Sequence, residues 1–214
     1  MAKVKSASPA FLFAPGAGAP SSSAWMQAFA RRLGALGRVQ CFNYRYQVEG
    51  RRSPDRLPTL IAAHQAAYES LRAEHNGPLV LVGKSMGGRI GCHLANQLAK
   101  GNPTALVCLG YPLVSPKGEV RDQVLLELNA PVLFVQGTRD SLCPLERLAQ
   151  VRNRMSAPNE LYVVEGGDHS LRVSARALVT QGCTQDDVDS VIVSAIGKFI
   201  EACYPRELGP FEKS

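Results

Sequence analysis

The sequence predicts an α/β fold, a mostly parallel sheet of about six strands with helices on both faces. Short apolar runs alternate with helix-patterned segments along nearly the whole length, the arrangement of strands joined by crossover helices. The stretch Pro78 to Lys100 compresses that pattern into one unit: Leu79-Val80-Leu81-Val82, then Gly83-Lys84-Ser85-Met86-Gly87-Gly88, then a helical run. No internal repeat, low-complexity tract or linker divides the 214 residues. One domain over 1–214 is therefore expected, with its core at about 10–203 and a loose tail over 204–214.

Each element has a local reason. Ala10 to Ala14 reads as the first strand and Pro15 to Pro20 as a glycine-rich loop. Ser22 or Ser23 caps a helix whose apolar face is Trp25, Met26, Phe29, Leu33 and Leu36, and Gly37 ends it. Val39 to Asn43 is the second strand, and Tyr44 to Asp55 a polar, arginine-rich loop. Pro58 opens a helix with Leu60, Ile61, His64, Tyr68 and Leu71 on one face. Leu79 to Val82 is too short for a helix and half β-branched, so it reads as a buried strand. In the next helix, Gly87, Gly91 and Ala95 recur every four residues, a stripe of small side chains suited to lying tight on a sheet. Thr104 to Leu109, Val132 to Gln136 and Leu161 to Val164 are the remaining strands, with a helix from Leu145 to Met155. Thr184 begins the last helix with Asp187 as a capping-box-like partner. Its inward face is Val188, Val191, Ile192, Ala195, Ile196, Phe199 and Ile200.

Composition narrows the function classes. A hydrophobic fraction of 45% and a charged fraction of 20% are those of an ordinary globule. The net charge is +6, yet the arginines are scattered without a basic run or aromatic interleaving. That excludes nucleic acid as the expected partner and leaves a mild bias toward anionic substrates. Six cysteines without a C-x-x-C pair point to a reducing compartment, the cytoplasm, with the nucleus as the alternative. No signal peptide or membrane-length apolar run is visible. The first 48 residues lack Asp and Glu, a transit-peptide trait outweighed by a core strand that starts near Ala10.

Gly83-Lys84-Ser85-Met86-Gly87 fits the G-x-S-x-G elbow, in which a serine stands on a sharp strand-to-helix turn with its hydroxyl exposed. Two bland readings compete, a serine that only caps the helix and a phosphate-binding loop. The second requires a glycine at position 78, where this chain has proline. The elbow gains weight from two later strands. The strand Val132 to Gln136 runs into Asp140, and the strand Leu161 to Val164 runs into His169. Serine, acid and histidine thus occur in the order of α/β-hydrolases, each just past a strand. A serine hydroxyl is a poor nucleophile at neutral pH, so His169 takes its proton and returns it to the leaving group, while Asp140 holds the imidazole tautomer. The oxyanion needs backbone N–H donors, assigned to Met86 and Ala17. Asp168 is the weaker choice of acid, because it adjoins His169. His64 reads as a core histidine, His75 as a helix-end cation and His93 as solvated beside Arg89 and Gln97. No cluster has metal-ligand spacing, and the chemistry calls for no metal or cofactor.

With these residues in view, the chain resembles the α/β-hydrolase superfamily near its dienelactone-hydrolase-like members. More narrowly it resembles the small family that includes testis-expressed protein 30 and the third subunit of the NSL histone-acetyltransferase complex. The matching pieces are Phe42-Asn43-Tyr44, Gly50 to Asp55, Gly83-Lys84-Ser85-Met86-Gly87-Gly88-Arg89, Cys108 to Leu113, Gln136 to Asp140 and Gly167-Asp168-His169. Many relatives carry His-Gly in the first loop where this chain has Pro15-Gly16, and the donors needed here lie after Gly16. The resemblance supports the triad Ser85, Asp140 and His169 but supplies no substrate; the ordered triad itself points to a serine hydrolase acting on small-molecule esters, thioesters or small acyl groups. Because the family includes a chromatin-complex subunit, the alternative is a silent scaffold or interaction protein; the arginine-rich loop would then offer Arg51 and Arg52 to an acidic protein partner, although internal salt bridges are the favoured reading of these two arginines. The span from Tyr111 to Val132 is too short for a large lid, so an open cleft is expected.

Overall fold

A computed structural model describes residues 8–99, 102–115 and 117–204; the expected tail from 205 onward lies outside them. Six strands form one sheet: β1 (Ala10–Ala14), β2 (Arg38–Cys41), β3 (Leu79–Lys84), β4 (Ala105–Leu109), β5 (Val132–Gly137) and β6 (Asn159–Val164). Their order is β2-β1-β3-β4-β5-β6, and every pair is parallel. The order reverses at β1, so the crevice at the carboxyl ends of β1 and β3 is where such a sheet binds ligands. The helices are α1 (Ala24–Leu33), α2 (Arg45–Val48), α3 (Leu57–Glu74), α4 (Met86–Ala95), α5 (Gln123–Leu126), α6 (Leu145–Arg152), α7 (Ala175–Gln181) and α8 (Gln185–Cys203).

The period of two along each strand sorts side chains between two cores. Ala10, Leu12, Leu79 and Leu81 face a layer built from α3, α4, α5 and α6. Phe11, Phe13, Val80 and Val82 face the opposite layer, from α1 and α8. Because β1, β3, β4 and β5 are covered on both sides, they are apolar except for Lys84 and Gln136 near their carboxyl ends, whereas the edge strands β2 and β6 are only partly buried. Truncating one of the central residues to alanine would cost about 2–5 kcal/mol.

Four readings of the sequence need correction. The segment after β2 is not simply a polar loop, because Tyr44 and Tyr46 are fully buried and α2 forms between Tyr44 and Glu49. Gly34, not Gly37, caps α1, and Leu36 packs back on the core from the turn beyond. Val191 is 52% exposed, because the contact stripe of α8 runs through Ile192, Val193, Ile196, Phe199 and Ile200. His93 is half-buried rather than solvated, with Arg89 Nη1 3.5 Å from its Nε2. The short helix α7 carries no apolar stripe strong enough to be read from sequence, and none of its residues is buried.

Candidate active site

The strand-to-helix turn between β3 and α4 holds Ser85 at φ 50° and ψ −116°, a conformation that costs a non-glycine residue about 1–3 kcal/mol. The turn is possible because its neighbours lack side chains. A Cβ on Gly83 would lie 2.1 Å from the Gly88 nitrogen, and one on Gly87 would lie 2.6 Å from the Ala14 carbonyl oxygen. The Ser85 hydroxyl makes no helix-cap bond. It lies 2.8 Å from His169 Nε2, and His169 Nδ1 lies 2.8 Å from Asp140 Oδ2. The fold therefore brings Ser85, His169 and Asp140, which come after three different strands, into one hydrogen-bonded line.

Asp140 is buried at 3% exposure and fully partnered. Its Oδ1 accepts from the Leu142 N–H at 2.9 Å, and its Oδ2 also accepts from the Gln136 side-chain amide. Burial pushes the Asp140 carboxyl up, but His169, the Leu142 N–H and Gln136 together hold it below the usual carboxylate value. Gln136 itself is anchored, its Oε1 accepting from the Tyr111 N–H at 3.0 Å. Sequence reasoning assigned Gln136 no role. The signal was present as one amide ending an otherwise apolar strand, a group that burial obliges to find partners.

The two residues expected to supply oxyanion donors, Met86 and Ala17, line a cleft together with Ser85. Met86 is the first residue of α4, where backbone N–H groups have no intrahelical acceptor. Neither its N–H nor that of Ala17 donates to another group among the described residues. The loop carrying Ala17 is held from α2. Tyr46 Oη donates to the Ala17 carbonyl at 2.9 Å, and Gln47 Nε2 reaches the carbonyls of Gly16 and Ala19 at 3.0 Å. Asn43 Oδ1 accepts the Ser21 N–H at 2.7 Å and secures the end of the same loop. This gives Tyr46 and Gln47 a structural role: the segment read as a polar, arginine-rich loop braces the loop opposite Ser85.

Arg51 is engaged within that segment, paired with Glu49 at 2.7 Å and Asp55 at 2.6 Å. Arg52 has no carboxylate within 4 Å among the described residues. His64 is completely buried, its Nδ1 3.2 Å from Tyr44 Oη, and burial lowers its pKa to about 3, so it stays neutral in the core. Asp168 accepts the N–H groups of Ser170 and Arg172 and organises the turn after β6 rather than the imidazole.

Lys84 was missed. It is 8% exposed, its ammonium donates to the main-chain carbonyl of His169, and it lies 5.8 Å from the centre of the Trp25 ring. Burial lowers its pKa to about 8, against the opposing pull of Asp140 and Asp168. A lysine at the variable position of an elbow gives no hint from sequence that its side chain turns back beneath the histidine loop.

Ser85 opens on two clefts. One, of about 350 Å³, is lined by Trp25, Met26, Lys84 and His169. The other, of about 430 Å³, is lined by Leu57, Leu60, Met86, Arg89 and Arg121. Among the described residues no group of three or more His, Cys, Asp or Glu could hold a metal ion. No described helix is long and apolar enough to cross a membrane.

The fold and this arrangement define an α/β-hydrolase. The profile of the alpha/beta hydrolase domain family matches residues 7–201, and the chain belongs to that family. Solved structures agree on the fold. An α/β serine hydrolase homologue from Coxiella burnetii is 18% identical with a TM-score of 0.69, over 91% of this chain and 88% of that one. The dienelactone hydrolase of Anabaena variabilis is 15% identical with a TM-score of 0.67, over 92% and 87%. A Xanthomonas campestris α/β serine hydrolase without lid is 17% identical with a TM-score of 0.65, over 99% and 88%.

Proposed function

We propose that this protein is a serine hydrolase that cleaves small esters or thioesters through an acyl-enzyme. The observation that carries the reading is the line Ser85 Oγ, His169 Nε2, His169 Nδ1 and Asp140 Oδ2, closed by two contacts of 2.8 Å. Ser85 Oγ attacks the acyl carbon while His169 takes its proton, and the oxyanion accepts from the N–H groups of Met86 and Ala17. The intermediate collapses as His169 protonates the leaving oxygen or sulfur. Water, deprotonated by the same imidazole, then attacks the acyl-serine; the acid departs and the proton returns to Ser85. Clefts of about 350 and 430 Å³ favour short substrates over long lipids. Six free cysteines suit a reducing, cytoplasmic setting.

The test is labelling of the pure protein with a fluorophosphonate, beside Ser85→Ala and His169→Ala variants. Labelling that requires both residues is the expected result; a folded wild type that stays unlabelled overturns the reading. A second reading, an interaction module without turnover, draws on the narrower family resemblance and on Arg52, which has no carboxylate partner among the described residues. Loss of a bound acidic protein in Arg52→Ala, with the fold intact, is its expected signature, and an unchanged partner set counts against it.

A further inference from the structure

The second cleft beside Ser85 holds two guanidinium groups without a counter-ion among the described residues. Arg89 and Arg121 line it together, near enough that the charge of Arg121 opposes that of Arg89. Neither has a carboxylate within 4 Å among the described residues. Arg89 has only His93 as a side-chain partner, and the Arg121 side chain has none among them. The acids nearby are already committed. Asp55, on the wall of the same cleft, binds Arg51 at 2.6 Å and the Tyr46 N–H at 3.1 Å; Asp122 binds Arg154 at 3.0 Å. Two like charges set into one half-buried cleft repel each other, and an anion placed between them would relieve that cost.

The two clefts also differ in what they can hold. His169 lines the Trp25 cleft and must protonate the leaving group, so the leaving group belongs there. The acyl group then extends along the other cleft, past Leu57, Leu60, Val114 and Leu142, toward the arginines. Arg89 stands one turn of α4 beyond Ser85, about 6 Å along the helix axis. Ser85, Arg89 and Arg121 line the same cleft, so an acyl chain lying in it runs toward both arginines.

We propose that Arg89 and Arg121 form a carboxylate subsite, and that the preferred substrates are half-esters of short dicarboxylic acids, with the free carboxylate between the two arginines. The proposal rests on the serine-hydrolase reading. Guanidinium forks match the planar, bidentate geometry of a carboxylate. A monoanion is favoured over a phosphate dianion because the Asp55 carboxylate shares the wall.

The test compares kcat/KM for the mono-4-methylumbelliferyl ester of adipic acid with that for the hexanoate ester, which has the same chain length and leaving group. Wild type is expected to prefer the charged ester at least tenfold. Arg121→Gln and Arg89→Gln are expected to reduce that ratio tenfold or more, and Arg89→Lys to restore part of it. Arg121→Gln, at a loop position, keeps the test valid where Arg89→Gln disturbs α4. A wild type that prefers hexanoate, or variants that leave the ratio unchanged, overturns the subsite. Calorimetric titration of Ser85→Ala with monomethyl adipate separates the two claims. Binding that Arg121→Gln weakens tenfold supports the subsite even where no ester is cleaved, and no binding at millimolar ligand overturns it. Fluorophosphonate labelling of wild type then shows whether the serine reading stands by itself.

Discussion

The hydroxyl of Tyr46 donates to the carbonyl of Ala17 at 2.9 Å, joining the buried segment after β2 to the loop that faces Ser85. Ala17 itself is exposed, so the precision of its N–H comes from this tyrosine and from Gln47 rather than from packing. Tyr46→Phe keeps the ring in its buried site and removes one hydrogen bond, worth about 1 kcal/mol net. On the proposed mechanism the expected outcome is a fall in kcat of about fivefold to tenfold with little change in KM, since the N–H would act on the oxyanion of the transition state. Steady-state kinetics on a neutral ester measure this, and an unchanged kcat would show that the loop holds itself.

On the proposed mechanism, Asp140 bears on both chemistry and acid stability. Asp140→Asn should leave the fold in place and let the imidazole settle in the wrong tautomer, with kcat down about 10⁴-fold. The same substitution carries a pH signature. The folded-state pKa of Asp140 lies below its ordinary value, so between the two values the unfolded chain binds more protons and stability rises with pH. The contribution is complete above the ordinary Asp value of about 3.9 and is lost as pH falls through the folded value. Thermal unfolding of wild type and Asp140→Asn should therefore show a gap at pH 7 that narrows below about pH 4.

Lys84 gives a signature of the same sign at the alkaline end. Its folded pKa, about 8, lies below the ordinary lysine value, so the unfolded chain again binds more protons between the two. Wild type carries the burial penalty of the ammonium below pH 8 and sheds it as pH rises toward about 10.4. Relative to Lys84→Met, wild type should gain in Tm between pH 7 and pH 10. Because the ammonium also holds the His169 carbonyl, Lys84→Met should lower kcat more than it raises KM. A Tm difference independent of pH would place the ammonium in solvent.

Much of this was legible in the sequence because it is written in local patterns. Strand runs, the elbow glycines and the Thr184–Asp187 cap depend on neighbours a few positions apart, and the cap forms as read, with Thr184 and Asp187 each bonding the other's backbone. The order of Ser85, Asp140 and His169 was legible too, since each comes after its own strand in a sheet whose parallel sense is dictated by alternation with helices. Other features are decided by contacts between distant segments. Tyr44 and Tyr46 looked like loop residues among arginines, and only the packing of α3 and α4 against them shows that they are core. Gln136 is 4 residues from Asp140, yet its meaning depends on the Tyr111 backbone, 25 residues away. Lys84 reaches a carbonyl 85 residues along the chain. Arg89 and Arg121 share a cleft only because the loop after β4 folds over the start of α4. By itself the sequence determined the fold class and the identity and order of the candidate reacting groups, because periodicity and turn chemistry are local. The tertiary structure decided which polar side chains brace the site and which cations stand beside it without a carboxylate among the described residues, because burial and charge pairing are set by segments that meet only in the folded chain.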